Sequence, residues 1–302
     1  MKKIIALLLA CMMLVACTAC AAKTEPAASA ETTASTETAS AETAAPAEEA
    51  AAETEEASAE QTAADSDIAY IQANGKLVVG ITDFAPMDYQ NDAGEWIGFD
   101  ADMAKAFAAS LGVEAEFVEI DWDNKIMELG AKTIDCVWNG MTLTDEVLSA
   151  MSCSNAYCNN SQVVVVPADK AADFQSVDAC SSLNFAVESG SAGKAEVEKL
   201  GYSFTEVQDQ ATALMEVAAG TADAAVIDSL MAGAMVGEGT GYDSLTYTVS
   251  LNADEGEQYG VGFRQGSDLA AALNDFFAAA YADGSMVKCA ETYGIQAALI
   301  AQ

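Results

Sequence analysis

The sequence predicts an α/β fold with two lobes, and three observations support this prediction. From about Ile68 onward, short runs rich in β-branched residues alternate with stretches in which apolar residues have helical spacing. Alternation of strand and helix is typical of parallel sheets covered by helices. The alternation runs through two rounds, and the extended stretch "SQVVVV" stands between them. Each round therefore predicts one lobe.

The first round contains several strands and one clearly amphipathic helix. In "FDADMAKAFAASLG", Met103, Phe107 and Leu111 share one helical face. Asp100 is placed to cap the start of this helix, and Gly112 follows its last turn. Strands are predicted from β-branched content and length at 76–81, 115–120, 133–138 and 161–166.

The second round repeats the pattern and is followed by a C-terminal helix. Helices are predicted from about Ala192 and around "ATALMEVAAG". Strands are predicted at 183–187, 203–207 and 222–227. In "SDLAAALNDFFAAAYADG" the large apolar residues have helical spacing, and Gly284 marks the end of the helix. The residues that predict this last helix are Leu269, Leu273, Phe276, Phe277 and Ala280.

The N-terminus has the pattern of a secretory signal peptide over residues 1–20. Lys2 and Lys3 precede the apolar run "IIALLLACMMLVAC", which is short for a membrane span. The ending "LVAC" resembles the lipobox of bacterial lipoproteins, which implies cleavage before Cys17 and attachment of a diacylglycerol to its sulfur. Cys20 is the alternative site. A two-chain anchor of this kind holds a protein stably on a membrane.

Residues 21–66 predict a disordered acidic tether. This segment is built from Ala, Glu, Thr and Ser with two prolines, and it has no aromatic or large aliphatic residue. It therefore has little apolar surface to bury against the entropy cost of ordering. Part of the acidic charge of the whole chain lies here, so the folded part is less extreme than the total indicates.

Charge and composition exclude several functions. The formal net charge is −35, which argues against binding to nucleic acid or to anionic lipid surfaces. The chain has no histidine, the commonest general base and metal ligand. The cysteines of the predicted folded part show no CxxC pair, so we expect neither a metal site nor a cofactor. Cys153 and Cys158 could form a short-range disulfide in an oxidising envelope.

Five segments in chain order resemble the periplasmic-type solute-binding proteins of polar amino acid ABC importers. They are "GKLVVGITDFAPMDYQNDAGEWIGFDADMAKAFAASLG", "IDCVWNGMTLTDE", "AVESGSAG", "GTADAAVIDS" and "QYGVGFRQGSDLAAALNDFFAAAYADGS". The resemblance implies a two-lobed periplasmic-binding-protein-like fold (type II), with the ligand closed between the lobes. Lobe one would comprise 67–165 plus 252–302, and lobe two 166–251. "SQVVVV" and "SLTYTVS" would be the two hinge strands.

The resemblance also implies a function and a location. We expect a monomeric binding protein, not an enzyme, that is lipid-anchored to the outer face of the cell membrane. It would capture a small amino acid-like ligand and deliver it to ABC transporter permease subunits. The alternative is a cell-surface dehydratase on the same scaffold, for which Glu188 is the candidate acid.

The same resemblance assigns roles to individual residues. Phe84 and Trp122 would stack on the ligand, although both could instead be core residues. The carbonyl of Gly140 would accept from the ligand ammonium, and Thr142 would donate to its carboxylate. A helix cap at Thr142 or Thr144 is the alternative for that loop. The predicted ligand-binding residues are Phe84, Trp122, Asn139, Gly140, Met141, Thr142, Glu188, Ser189, Gly190, Ser191 and Asp228.

In the second lobe, "ESGSAG" resembles an anion-binding loop at a helix start, and Asp228 matches an acid that pairs with the ligand ammonium. Asp228 could alternatively cap the helix that follows it. Two departures remove positive charge: Val147 stands where the family carries an arginine, and Glu188 where some members carry a lysine. Arg264, the chain's one arginine, is expected in a surface turn. We therefore expect a zwitterionic or cationic ligand, unless a lysine or another donor replaces the missing arginine.

Overall fold

The computed structural model describes residues 66–302. The predicted signal peptide, its lipidated Cys17 and the predicted tether up to residue 65 lie outside the described residues. Ser66 is already part of the fold, because its side chain accepts from the backbone N–H of Ala69 and caps the first helix. None of the helices in residues 66–302 has the length and apolarity that a bilayer crossing requires.

The described chain alternates strands and helices, as predicted. The strands are β1 (Lys76–Ile81), β2 (Tyr89–Gln90), β3 (Trp96–Ile97), β4 (Glu114–Glu119), β5 (Cys136–Thr142), β6 (Ser152–Cys153), β7 (Cys158–Asn160), β8 (Gln162–Pro167), β9 (Asn184–Glu188), β10 (Ser203–Val207), β11 (Ala224–Asp228), β12 (Leu245–Ser250) and β13 (Glu257–Phe263). The α-helices are α1 (Asp67–Asn74), α2 (Phe99–Ser110), α3 (Lys125–Gly130), α4 (Asp145–Ala150), α5 (Ala192–Leu200), α6 (Gln210–Ala219), α7 (Ser229–Met235), α8 (Leu269–Ala282) and α9 (Ser285–Thr292). Short 3-10 helices lie at Trp122–Asn124, Ala168–Asp173 and Asp178–Ser182.

The strands form two mixed sheets, which confirms the α/β fold class with two lobes. The first sheet has the order β4-β1-β5-β13-β6, with β7 also paired to β13. β1 is parallel to β4 and β5, whereas β13 is antiparallel to its neighbours. The second sheet has the order β10-β9-β11-β8-β12, in which β9 is parallel to β10 and β11. β2 and β3 form a separate ribbon.

The described chain passes between the sheets at Ser161, and again across 251–256. The first crossing, Ser161, is the first residue of "SQVVVV", as expected, and the rest of that segment lies in β8. The segment "SLTYTVS" contains β12, which pairs with β8 inside the second sheet, and the second crossing follows it. The crossings flank these strands because sheet hydrogen bonds hold the strands themselves. The predicted lobe limit after residue 165 therefore falls inside β8.

Apolar packing follows the predicted faces. The α2 face carries Met103 and Phe107, which are 4% and 0% exposed, and α2 packs on β1, β4 and β5. Phe107 and Phe277 both contact the indole of Trp138 on β5. Along β5 the side chains alternate between two core clusters, so that Trp138 and Val137 face opposite sides of the sheet.

The start of α1 is tied to the first sheet by Arg264. Its guanidinium lies 2.9 Å from a carboxylate oxygen of Asp67 and 3.1 Å from one of Asp135, and it donates to the carbonyl of Ile134 at 2.9 Å. Arg264 directly follows β13, and the backbone N–H of Ser267 donates to its carbonyl, so it begins a turn as expected. Its side chain is nevertheless only 10% exposed, because it lies against these acids. Its donors are used at this edge of the sheet, because two buried carboxylates there need a counter-charge.

Candidate functional site

A cavity of about 240 Å³ lies where the two sheets meet. Its walls come from the residues that end β1, β5, β9 and β11 and from the turns that follow them. Parallel strands place their carboxyl ends at one edge of a sheet, and α/β proteins bind ligands at such edges. The fold therefore brings segments that are far apart in sequence to one pocket.

All of the predicted ligand-binding residues except Ser189 line this cavity. The Ser189 hydroxyl donates to Glu206 at 2.6 Å, and its backbone N–H donates to Val207 at 3.0 Å. Ser189 follows Glu188 directly, and side chains that are adjacent in an extended segment point to opposite sides. Because Glu188 faces the cavity, Ser189 faces β10. Ligand contacts of the other residues remain a prediction.

The "NGMT" segment, expected as a loop, forms the last four residues of β5 because it pairs with β13, and buried polar groups hold it on its outer side. The Asn139 amide accepts from the backbone N–H and hydroxyl of Thr82 at 3.0 and 2.8 Å, and it donates to Asp88 at 2.8 Å. Gly140 has a φ of 54°, and a Cβ there would lie 2.3 Å from the Phe84 ring. Glycine is therefore required for both the backbone conformation and the close approach of the ring.

Asp100 supports the same segment and does not cap its helix. The N-cap of α2 is Gly98, and Asp100 is fully buried. Its carboxylate accepts from the backbone N–H of Gly140 at 2.6 Å and from the Tyr157 hydroxyl at 2.7 Å. Burial raises the pKa of Asp100 to about 7, although these hydrogen bonds lower it. The predicted cap is wrong because the long-range donors lie on the sheet that α2 covers.

The aromatic side chains predicted to stack on the ligand are both buried and both line the cavity. Phe84 is 2% exposed, and its ring meets that of Tyr259 edge-on at 6.3 Å between centroids. Trp122 is 7% exposed and belongs to a core cluster with Val147 and Met141. The core and cavity interpretations are thus compatible, since each ring packs on one side and borders the pocket on another.

Asp228 is surrounded by donors from both sheets. Its carboxylate accepts from Asn160, from Gln162 at 2.9 Å, from the Tyr259 hydroxyl at 2.9 Å and from Gln210. Its side chain makes no capping bond to α7, so the alternative of a helix cap does not hold. Burial raises the pKa of Asp228, and the four hydrogen bonds lower it.

A second carboxylate, Glu257, shares these donors and was not predicted. Glu257 accepts from Gln162 at 2.9 Å, from Asn160 at 3.0 Å and from Asn252 at 2.6 Å. The Thr142 hydroxyl also donates to it, at 3.3 Å. Burial, followed by the charge of Asp228, raises the pKa of Glu257 to about 7. The available signal was the amide-rich "NNSQ", whose side chains need acceptors if they are buried.

Glu188 differs from these two acids because part of it has no partner. It is 2% exposed, and its Oε1 has no hydrogen-bond partner among the described residues. Burial raises the pKa of Glu188 to about 8, with further contributions from the charges of Asp228 and Asp209. A buried acceptor that lacks a donor is costly, so this oxygen is suited to a positive group in the cavity.

The one cationic side chain among the described residues that line the cavity is Lys125, which the sequence analysis missed. Its ammonium donates to the carbonyls of Trp122 at 3.1 Å and Gly190 at 3.0 Å, and lies 4.9 Å from the centre of the Trp122 ring. Burial lowers the pKa of Lys125, while the charges of Glu146, Glu188 and Asp123 raise it. Its position one helical turn after Trp122 was the available signal.

The helix starts at the cavity are capped by serine and threonine. Thr144 accepts from the N–H of Val147 at 3.2 Å, which leaves Thr142 free of this role. Ser191 accepts from the N–H of Lys194 at 3.0 Å and caps α5. Gly190 has a φ of 69°, and a Cβ there would lie 2.7 Å from the Asp123 backbone. The second sheet's loop thus closely approaches the first sheet's 3-10 turn.

Within residues 66–302, no group of three or more potential metal-ligating side chains is poised to hold an ion. The five cysteines of this region are free thiols, so Cys153 and Cys158 do not form the disulfide considered above.

Comparisons with known proteins agree on one family. The profile of the bacterial extracellular solute-binding proteins, family 3, matches residues 77–296. The L-cystine-binding protein TcyJ of Escherichia coli is 26% identical over 227 residues, or 74% of this chain and 84% of that protein. A mutant of arginine-bound ArgBP from T. maritima is 32% identical with a TM-score of 0.64, covering 69% of this chain and 97% of that one. An ancestral amino acid-binding protein, AncCDT-1, is a precursor of cyclohexadienyl dehydratase. It is 28% identical with a TM-score of 0.69, and the match covers 76% of this chain and 99% of that one.

The raised pKa of Glu188 predicts how stability depends on pH. A carboxyl with a raised pKa binds its proton more tightly in the folded than in the unfolded chain. The stability that the folded protein gains from binding this proton is therefore fully present below the ordinary pKa of 4.5 and is lost as pH rises through about 8. We expect the unfolding free energy of the ligand-free protein to fall between pH 5 and 9, and Glu188→Gln to remove about 4 kcal/mol of that fall.

Urea unfolding at a series of pH values measures this effect. Glu206→Gln is the control, because the Ser189 hydrogen bond lowers the pKa of Glu206 and its effect belongs below pH 4.5. An unchanged slope between pH 5 and 9 in Glu188→Gln would contradict the assignment.

Proposed function

The chain belongs to family 3 of the bacterial extracellular solute-binding proteins, and we propose that it captures a zwitterionic or cationic amino acid and delivers it to an ABC import permease. The observation that supports the ligand class most directly is Glu188, a buried acid whose Oε1 is unpartnered at the cavity wall. A ligand ammonium would supply the missing donor. The acidic rim residues Asp145 and Glu146 disfavour entry of an anion.

Similar proteins support the same ligand class. The relatives described above include one that binds L-cystine and one whose structure holds arginine. Both ligands carry an α-ammonium and an α-carboxylate. In this chain the acids Glu188 and Asp228 would face the positive end of such a ligand, and the rings of Phe84 and Trp122 would pack on its apolar part.

We propose that neutral groups complete the site. The Gly140 carbonyl would accept from the ligand ammonium. Asn139 and Met141 lie on either side of Gly140 and form the same wall of the cavity. The backbone N–H groups near Gly190 and Ser191 would donate to the ligand carboxylate, and the Thr142 hydroxyl would do so once its proton turns away from Glu257. Each of these residues borders the cavity, and their donors and acceptors are of the type that an amino acid backbone needs.

The two sheets would act as lobes that close on the ligand. The lobe limits that we propose are the chain crossings, at Ser161 and across 251–256. Short flexible crossings are the usual position of a hinge. The amides of Asn160, Gln162 and Asn252 lie at these crossings and all donate to one carboxylate, that of Glu257, so the hinge and the cavity floor would act as one hydrogen-bonded unit.

A dehydratase is the second candidate function. It is favoured by Glu188, a buried carboxyl with a raised pKa in the cavity, and by the similarity to a precursor of cyclohexadienyl dehydratase. A turnover assay on cyclic carboxylic acids separates the two functions, because a binding protein releases such compounds unchanged.

We expect ligand selection by positive charge. Isothermal titration should show binding of L-arginine or L-cystine and much weaker binding of L-glutamate and L-aspartate. Glu188→Gln should weaken binding of the preferred amino acid by roughly tenfold or more, because one charge-assisted hydrogen bond is lost. Glu206→Gln, on the outer side of the same loop, serves as the matched control. Tight glutamate binding that survives Glu188→Gln would sink the proposal.

We also expect ligand to close the lobes. Solution scattering of the purified folded part should give a smaller radius of gyration with saturating amino acid than without it. The same radius in both states at saturation would rule out closure about the crossings.

Finally, we propose that Cys17 is lipidated after cleavage of the signal peptide, on the evidence of the "LVAC" sequence. The intact mass of protein extracted from membranes should correspond to a chain that begins at Cys17 and carries a diacylglycerol. Cys17→Ser should release the protein from the membrane fraction. A mature chain that begins at Cys20, or an unmodified secreted form, would contradict the proposal.

A further inference from the structure

Lys125 is a buried cation without a counter-charge. Its residue exposure is 8%, and in the described part of the chain no carboxylate oxygen lies within 4.0 Å of its ammonium. Its protein acceptors are two backbone carbonyls and the face of the Trp122 ring. An ammonium has three donors, so one remains beyond the two carbonyls. Buried charges are normally paired, because desolvation of a lone charge is costly.

The other lysines of residues 66–302 do not share this combination. They are paired with a carboxylate, or lie exposed to solvent, or both. The paired ones are Lys76, Lys105, Lys132, Lys194 and Lys199, and the exposed unpaired ones are Lys170 and Lys288. Lys125 alone is both buried and unpaired in this region, and it borders the cavity.

The cavity also contains the complementary defect. Glu188 is buried, and its Oε1 has no donor among the residues described. Lys125 and Glu188 both border the cavity but do not form an ion pair with each other. The wall thus carries one unpaired ammonium and one unpaired carboxyl, and a ligand ammonium beside Glu188 would favour the charged form of that carboxyl. A ligand that bears both charges would neutralise both, whereas a plain cation would leave Lys125 unpaired.

We propose that Lys125 is the carboxylate anchor of the site and selects amino acids over amines that lack a carboxylate. This inference rests on the proposed function and names a specificity-determining residue for it. Val147, at the position that the family resemblance assigns to an arginine, is 3% exposed and apolar, and borders the same cavity. Lys125 supplies positive charge from the start of α3 instead of from α4.

Lys125 also joins the two sides of the cavity, and this gives its role a second consequence. Trp122 belongs to the first sheet's side and Gly190 to the second, and the ammonium donates to a carbonyl of each. A bound carboxylate at the remaining donor would therefore meet a cation that is already held by both lobes. The carboxylate contact and lobe closure would reinforce each other.

The test compares each amino acid with the amine made by removing its carboxylate. The pairs are L-arginine with agmatine and L-cystine with cystamine. If a thermal-shift screen of the standard amino acids prefers another one, that amino acid and its decarboxylated amine are used. Dissociation constants are measured by calorimetry for the wild type, Lys125→Met, Lys125→Arg, and the double variant Lys125→Met with Val147→Arg.

We expect Lys125→Met to weaken the amino acid by roughly ten- to a hundredfold and to weaken the amine by less than about threefold. The preference for the amino acid should largely disappear. Lys125→Arg, which keeps the charge, should retain the preference. The double variant, which supplies a cation from the α4 side, should recover it at least in part.

Lys105→Met is the matched control. The Lys105 ammonium also donates to a backbone carbonyl, that of Trp96, and lies 5.8 Å from the centre of the Phe117 ring, but it does not border the cavity. The Lys105→Met variant should change the dissociation constants of the amino acid and of the amine by no more than about twofold.

The outcomes separate this inference from the proposed function. Equal weakening of amino acid and amine in Lys125→Met would show a purely structural tie between the lobes and overturn the anchor. An amino acid preference that is lost in Lys125→Arg would also overturn it. A wild-type protein that binds no amino acid in the screen would refute the proposed function first, and this inference with it. If Lys125→Met does not fold, Lys125→Gln, which also removes the charge but keeps a polar side chain, is measured in its place.

Discussion

The arrangement of this protein depends on one buried hydrogen-bond network, in which two carboxyls, Asp228 and Glu257, accept from the same side chains. The two acids share the amides of Asn160 and Gln162 as donors. Those amides stand on either side of Ser161, where the chain leaves the first sheet, and Glu257 opens the strand by which it returns. One buried network therefore defines the crossings and the floor of the cavity together. Burial raises the pKa of both acids, the charge of Asp228 raises that of Glu257 further, and the hydrogen bonds from the amides lower both.

A second set of buried groups holds the first sheet's side of the cavity. Asp100 and Asn139 accept and donate along the outer side of the "NGMT" segment, so the segment's inner side is available to the cavity. The close contact between Gly140 and the Phe84 ring then places an aromatic face at the wall. The segment is held from behind by these hydrogen bonds and by its pairing with β13, and a preorganised wall loses little entropy when a ligand binds.

Two ionisable side chains at the cavity wall lack the partners that the groups behind the wall have. Most buried polar groups of this region are paired, whereas Lys125 and Glu188 are left incomplete at the cavity wall. Buried groups that lack a partner destabilise the empty site, and a ligand that carries an ammonium and a carboxylate would supply a partner for each. Because Lys125 and Glu188 are buried, a ligand that lacks one of the two charged groups would leave one of these side chains without a partner and away from water. The site should therefore discriminate strongly between ligands that carry both charges and ligands that carry one.

The sequence alone was sufficient to predict the α/β class, the two rounds of strands and helices, and the family. These depend on local periodicity and on motifs such as "NGMT" and "ESGS", which are written within short stretches. Which groups pair could not be predicted in this way. Asp100 was predicted to cap its helix but binds Gly140, and Arg264, predicted to lie in a turn, pairs there with two acids, because in each case the partner lies far away in the chain. Lys125 lies in the short polar stretch "DNK", which matches no motif. It is a buried, unpaired cation only because Gly190 approaches it from the second sheet and the cavity lies beside it. Burial and partnership are properties of tertiary packing, since they depend on which distant segments exclude water from a side chain.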